Sequence, residues 1–291
     1  MAAAVAAGLV LVGCSGGGDE GSGGRSINKA GAQPAKVEEI ANSLPSDVKD
    51  AGKLVIGTNA SYPPNESKEG DSFVGFDVDL IDAAAAVLGL TTEYRDSSFD
   101  NIIPSVQAGT YDVGVSSFTD TKEREDQVDF VTYFRAGTLW AQRPGRPVDP
   151  NNACGLKVAV QSGTTQLEEL DAKSKACVAQ GKPAITILKF DDQPQATNAV
   201  VVEQADAVSA DSPVVAWAIQ QAKGKLEGAG EIYESAPYGW AVSKDNRPLT
   251  EALLAALEEL IKTGDYDKIV TYWGVGEQGK VDKPVINGAV S

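Results

Sequence analysis

The 291-residue sequence contains no histidine. That removes the side chain that titrates nearest neutral pH and the commonest protein metal ligand. Zinc sites built on imidazole and histidine-dependent nucleophilic triads are excluded with it. Cations are scarce: 25 Lys and Arg stand against 41 Asp and Glu, a net charge of −16. Nucleic acid is a poor partner for such a chain, because binding it means neutralising phosphates with basic groups. An anionic lipid surface is a poor partner for the same reason. Cysteine occurs three times, at Cys14, Cys154 and Cys177, and never as C-x-x-C. Beyond Cys14 no apolar run approaches the ~18 residues of a membrane-spanning helix. No internal repeat of solenoid or propeller period is present. No cofactor motif is present either, and none is expected to be needed.

What is there reads as globular. The chain is 42% hydrophobic and 23% charged, with length for one large domain or two modest ones. Its start, MAAAVAAGLVLVGC, carries an apolar run of about a dozen residues, too short to span a bilayer and suited to the core of a secretory signal. "LVGC" resembles a bacterial lipobox. The resemblance implies a lipoprotein signal peptide over 1–14 and lipid on Cys14. No Lys or Arg precedes the apolar run, so the natural start is expected upstream of Met1. Glycine and serine dominate the residues after Cys14, and 15–52 is expected to be a flexible tether and lead-in. Export would place Cys154 and Cys177 in an oxidising compartment. With Cys14 lipidated, these two make an even count and are expected to pair.

From Lys53 short apolar strands alternate with helical segments. Strands are expected at 53–57, 91–95 and 111–117, with helices at 77–89, 99–109 and 121–126. After the proline-rich stretch 143–155 the alternation resumes, with strands at 157–160, 184–190 and 206–211 and helices at 164–181, 193–202 and 212–222. Such alternation predicts parallel sheet covered by helices. Two βα blocks separated by Pro and Gly predict two α/β lobes. A last helix carries Leu249, Leu253, Leu257, Leu260 and Ile261 on one stripe and stops at Gly264.

Strand ends followed by helix starts are where open α/β sheets bind ligands. "SSFTDTKERED" (116–126) is one such junction. Arg124 presents a planar fork that suits a carboxylate, with Ser117 and Thr119 adding hydroxyls. The alternative is an exposed ion pair with Glu123, Glu125 or Asp126, worth ~0–1 kcal/mol. "QSGTTQ" (161–166) offers a second nest of backbone N–H groups. Asp211, in "ADSPV", is either a helix cap or a counter-charge for an ammonium. A zwitterion bridging the two blocks would satisfy both.

The segments "KLVIGTNASYPPNE", "FVGFDVDL", "FDNIIPSVQAGTYDVGVSSFTDTKERED", "VDF", "KVAVQSGTTQ", "DAVSADSP" and "YGWAVSKDN" occur in the order found in bacterial extracellular solute-binding proteins of family 3, the amino-acid-binding components of ABC importers. The chain resembles that family from Lys53 to about Trp273. The resemblance implies a type II periplasmic-binding-protein fold, with lobe 1 formed by 53–141 and 238–291, lobe 2 by 142–237, and two hinge segments between them. It implies that Arg124 grips the ligand α-carboxylate, helped by Thr165, and that Asp211 receives the α-ammonium. Ser117 and Thr119 match contact positions, Tyr62 an aromatic cover and Phe99 an apolar wall. The partners implied are a free amino acid, permease subunits and a membrane reached through Cys14, for a monomer on the outer face of the cell membrane.

Departures from the family pattern bear on specificity. Asn59 stands where binders of basic amino acids often carry Asp. Asn65 replaces a common Phe, and Gln161 can reach the ligand side chain. Asn59 and Gln161 favour a polar uncharged ligand, a reading that reverses if Glu66 points inward. The alternatives are an enzyme on the same fold, resembling cyclohexadienyl dehydratase, or a sensing lipoprotein.

Overall fold

The computed structural model describes residues 23–289; Cys14 and the expected signal peptide lie outside them. A short strand β1 (Arg25–Ser26) is followed by helices α1 (Glu38–Ala41) and α2 (Ser46–Ala51). Over this part the expected tether is replaced by packed structure. Ala30, Ala32, Leu44 and Val48 are buried in the main core, with Val37 and Ile40 against it. Val37, Ile40, Leu44 and Val48 recur at helical spacing, a stripe that gains by docking rather than staying in solvent.

The alternation then runs as β2 (Lys53–Thr58), β3 (Ser61–Tyr62), β4 (Glu66–Glu69), β5 (Ser72–Val74), α3 (Phe76–Leu88), β6 (Thr91–Asp96), α4 (Phe99–Gln107), β7 (Val113–Gly114) and α5 (Lys122–Glu125). A long strand β8 (Asp129–Gln142) leads into β9 (Lys157–Gln161), α6 (Thr165–Ala179), β10 (Thr186–Phe190), α7 (Gln193–Val201), β11 (Ala207–Asp211) and α8 (Ser212–Gln221). A second long strand, β12 (Glu227–Val242), returns beside β8, and α9 (Arg247–Thr263) and α10 (Asp265–Trp273) come after it.

Eight strands form one sheet in the order β10-β9-β11-β8-β12-β7-β2-β6, and β1-β5-β4-β3 form a small second sheet. The expected parallel pairing holds at the two ends, β10 with β9 with β11 and β7 with β2 with β6. The centre differs: β8 pairs antiparallel with β11 and β12, and β12 antiparallel with β7. β8 is buried along nearly its whole length on both faces, so it shows no two-residue alternation to mark it as a strand. The β8–β12 register slips between Ala229 and Tyr233, and again before Ala236.

The core is divided. Its largest part joins residues 30–136 with 238–275. Two smaller clusters draw on 139–233. Alternate residues of the same strands, Ala159 against Val158 and Val160, fall in different clusters, so these two lie on opposite faces of that half-sheet. The stripe on α9 buries Leu249, Leu253, Leu257 and Leu260 completely, each worth ~1.5–3 kcal/mol of transfer free energy. Cys154 and Cys177 form a disulfide across 23 residues, tying the loop before β9 to α6.

Candidate ligand-binding cleft

The carboxyl ends of four strands converge. Asn59 follows β2, Ser116 and Ser117 follow β7, Gln161 ends β9 and Asp211 ends β11. They line one cleft with Tyr62, Glu66, Phe99, Thr119, Arg124, Thr164, Thr165 and Gln166. All nine residues proposed from the sequence as ligand-binding therefore line one cleft, from both of its sides. The two halves touch across it, and the space left is about 10 Å³, room for little more than one water molecule. Tyr62 Oη donates to Asp211 Oδ2 at 3.0 Å, Gln161 Nε2 to Asn59 Oδ1 at 3.0 Å, and Arg124 Nη2 to the Gly163 carbonyl at 3.1 Å.

Arg124 turns inward, 9% exposed, and has no carboxylate within 4 Å among the described residues. Glu125 pairs with Lys122 instead, and Glu123 and Asp126 face solvent. The exposed-pair alternative is thus not what the chain does. Nη1 donates to the Thr119 carbonyl at 2.9 Å, and the guanidinium lies 5.7 Å from the ring centres of both Phe99 and Phe118. Those rings stack on each other at 4.6 Å, and the cation lies against the stacked pair. Burial lowers the Arg124 pKa from its ordinary value, yet an arginine remains cationic. Helix α5 has only four residues, so its dipole adds little, and the positive charge of this wall is the guanidinium.

Asp211 occupies the cap position of α8, but its side chain caps nothing. It turns into the cleft, where Gln166 Nε2 donates to Oδ1 at 2.8 Å. Burial pushes its pKa up. Gln166 escaped notice in the sequence although it closes the "QSGTTQ" motif; it also reaches Thr138 Oγ1. Thr164, not Thr165, caps α6 by accepting from the Leu167 N–H. That leaves Thr165 in the first turn, on the cleft.

Another part of the cleft is acidic. Gly75, at φ 146°, lets the chain cross so close that a Cβ there would lie 2.0 Å from the Asn65 carbonyl. Only glycine permits that crossing, and the Glu66 side chain beside it is fully buried. Ser116 Oγ donates to Glu66 Oε1 at 2.9 Å and itself accepts from the Asn59 N–H. Ser117 Oγ lies 3.1 Å from Glu66 Oε2 and 3.2 Å from Asp77 Oδ2, and its one proton cannot serve both. Asp77 also takes the Ser117 N–H and the Tyr133 hydroxyl. Burial, reinforced by the Asp77 charge, pushes Glu66 well above the usual carboxylate range, and burial raises Asp77 to about 6. Asn65 is buried rather than on a surface, its amide donating to Ser117 Oγ. The cleft is thus lined by one guanidinium and by the carboxyl groups of Asp211 and Glu66, with Asp77 buried behind Glu66 and Ser117.

Residues 54–276 match the bacterial extracellular solute-binding proteins, family 3. The arginine-binding protein ArgT of Corynebacterium glutamicum is 42% identical over 258 residues, covering 87% of this chain and 84% of that protein. An ancestral arginine-binding protein bound to arginine matches with a TM-score of 0.71 at 36% identity, over 76% of this chain and 98% of its own. An ancestral arginine-binding protein bound to glutamine matches at 0.70 and 36%, over 77% and 99%. The architecture is the type II periplasmic-binding-protein fold, two α/β lobes joined by β8 and β12. The chain belongs to the bacterial extracellular solute-binding proteins of family 3.

Proposed function

We propose that the protein is the extracytoplasmic binding component of an amino-acid ABC importer, and that its ligand is a basic amino acid, arginine first. Arg124 and Thr165 hold the α-carboxylate, and Asp211 the α-ammonium, with Thr119 and Ser117 adding polar contacts. Tyr62 covers the ligand and Phe99 walls it. The observation that carries the choice of ligand is Glu66, fully buried on the cleft and hydrogen-bonded to Ser116, which itself bonds the Asn59 N–H. The sequence favoured an uncharged side chain unless Glu66 faced inward; facing inward, it favours a cation. A guanidinium there donates two charge-assisted bonds and relieves the repulsion between Glu66 and Asp77. Gln161 and Asn59 add neutral partners alongside.

The lobes in this reading meet where the cores divide. Leu139, Trp140 and Ala141 pack with the second-half clusters and Ala136 with the first. We therefore place the β8 crossing at residues 136–138, a few residues before the division at 141 expected from the sequence. The chain acts as a monomer that closes on its ligand, is held to the membrane by lipid on Cys14, and hands its cargo to permease subunits. Among the described residues no helix is long and apolar enough to cross a membrane.

Calorimetry with arginine, lysine, glutamine and glutamate tests the reading. Arginine should bind tightest and glutamate not at all. Failure to bind any of them, or tighter binding of glutamine than arginine, overturns it. Turnover of prephenate or arogenate would favour the dehydratase alternative.

A further inference from the structure

The helix that carries Arg124 is too short to fix its own place. Four residues make a single turn, and an isolated turn is unstable in water. Neighbours must hold it. On one side β12 does so: the Asp120 N–H donates to the Pro237 carbonyl at 2.8 Å, and the Gly239 N–H to the Phe118 carbonyl at 2.9 Å. On the other side lies the segment 285–289, past the end of the family match at 276.

That segment is zipped to β8. The Thr132 N–H donates to the Val285 carbonyl at 2.9 Å, and the Val285 N–H to Thr132 Oγ1 at 2.9 Å. The Asn287 N–H donates to the Phe130 carbonyl, and Asn287 Oδ1 accepts from the Phe130 N–H, each at 2.9 Å. Asn287 Nδ2 reaches Asp129 Oδ1 at 2.9 Å. The next two residues turn to the clamp. The Gly288 N–H donates to Asp120 Oδ2 at 2.6 Å and the Ala289 N–H to Glu125 Oε1 at 3.0 Å. Asp120 precedes the cap of α5 and Glu125 is its last residue. One segment therefore ties both ends of the helix on which Arg124 sits. Asp120 is 2% exposed, and burial raises it to about 7.

We infer that Val285–Ala289 is a positioning strap: by holding Asp120 and Glu125 it fixes α5, and with it the reach of the Arg124 guanidinium to a ligand carboxylate. The inference rests on the proposed role of Arg124 as the α-carboxylate clamp. The strap touches no ligand. Its effect is confined to ligands that carry the group Arg124 grips, which separates positioning from general stiffening of the lobe.

Two variants test it. One deletes residues 285–291. The other is Gly288→Val, since even a Cβ at Gly288 would lie 2.9 Å from Thr132 Cγ2 and Val285 Cγ2 and force that end of the strap away. Dissociation constants are measured for L-arginine and L-argininamide, which lacks the carboxylate charge. The intact chain should prefer arginine by about a hundredfold, as a desolvated charged clamp implies. In both variants that preference should fall to about tenfold or less, with argininamide binding little changed. An unchanged preference, or equal weakening of both ligands, overturns the inference while leaving the clamp reading intact. If the deletion does not fold, as judged by near-UV circular dichroism, Gly288→Val decides. If the intact chain binds no arginine, the clamp reading and the strap fall together.

Discussion

Replacing Glu66 by Gln should weaken arginine binding and leave the fold at least as stable, an opposition of signs that few substitutions produce. Glu66 is completely buried and lies on the cleft. With the charge gone, a bound guanidinium would face a neutral amide in a dry site. Truncating one member of a buried charge pair costs ~2–5 kcal/mol, so arginine should bind roughly thirtyfold to several thousandfold more weakly. The folded frame loses nothing comparable. Gln Oε1 can still accept from Ser116, and the amide N–H₂ can donate toward Ser117 Oγ or Asp77, where Glu66 and Asp77 now compete for the one Ser117 hydroxyl proton.

The pH dependence has a definite sign. Burial and Asp77 raise Glu66 above its unfolded value. Its stability contribution is therefore full at low pH and lost as pH climbs from the ordinary carboxylate range through the raised value. Asp77, raised to about 6, acts in the same direction. The Glu66→Gln chain should lose less stability between pH 5 and 8 than the parent, in urea titrations at fixed salt. Arginine binding to the parent should release protons, because a neighbouring cation lowers both carboxyls, and calorimetry in buffers of different ionisation enthalpy reads that release. Unchanged arginine affinity, equal weakening of arginine and glutamine, or a marked loss of stability would each refute the assignment.

Arg124→Ala should cost ~2–5 kcal/mol of amino-acid binding, measured by calorimetry. Arg124→Lys should recover little of it, because an ammonium cannot both bridge to the Thr119 and Gly163 carbonyls and lie against Phe99 and Phe118. Replacing Cys154 and Cys177 by Ala should lower unfolding free energy by ~3 kcal/mol, on the chain-entropy account of a loop of 23 residues. An unchanged denaturation midpoint under non-reducing conditions would argue against that account.

The sequence carried the outer strands and helices α3 to α9 because their patterns are local, and the disulfide through the even cysteine count left if Cys14 is lipidated. The alternation of β2, β6, β9, β10 and β11 with helices is periodic, and Gly264 ends α9 at φ 83°. It did not carry β8 and β12. A strand buried on both faces shows no alternation, and antiparallel pairing between residues a hundred apart leaves no local trace. In the site, Asn59, Ser117, Gln161 and Asp211 sit at strand ends, where topology alone predicts a ligand, whereas Tyr62, Phe99 and Thr165 were named only through the family resemblance. Gln166, Ser116 and the orientation of Glu66 were not legible, because each depends on a tertiary contact. Glu66 lies where the chain at Gly75 passes close over Asn65 and Glu66, a crossing that leaves no local pattern. The strap at 285–289 lies in a polar stretch with no periodic pattern, and its role is visible only from the carboxylates it meets.

Residues assigned to the ligand also hold the lobes together, and Tyr62→Phe isolates that second role. On the lobe division proposed above, Tyr62 belongs to the first lobe and Asp211 to the second. The Tyr62 hydroxyl donates to Asp211 Oδ2 at 3.0 Å and accepts from the Asp211 N–H at 3.1 Å. In an open cleft water can serve all three groups, so these bonds favour only the closed form. Removing the hydroxyl forfeits about 1–3 kcal/mol there, because a buried donor and a buried carboxylate each lose a partner. The open form should gain roughly fivefold to a hundredfold in population relative to the closed one. Solution X-ray scattering of the ligand-free protein should show a larger radius of gyration for Tyr62→Phe than for the parent. A variant that matches the parent in scattering would mean that the Tyr62–Asp211 bonds form at no net gain. Closure would then have to rest on Gln161–Asn59 and Arg124–Gly163, and Asp211 would meet its ammonium without competition from the tyrosine.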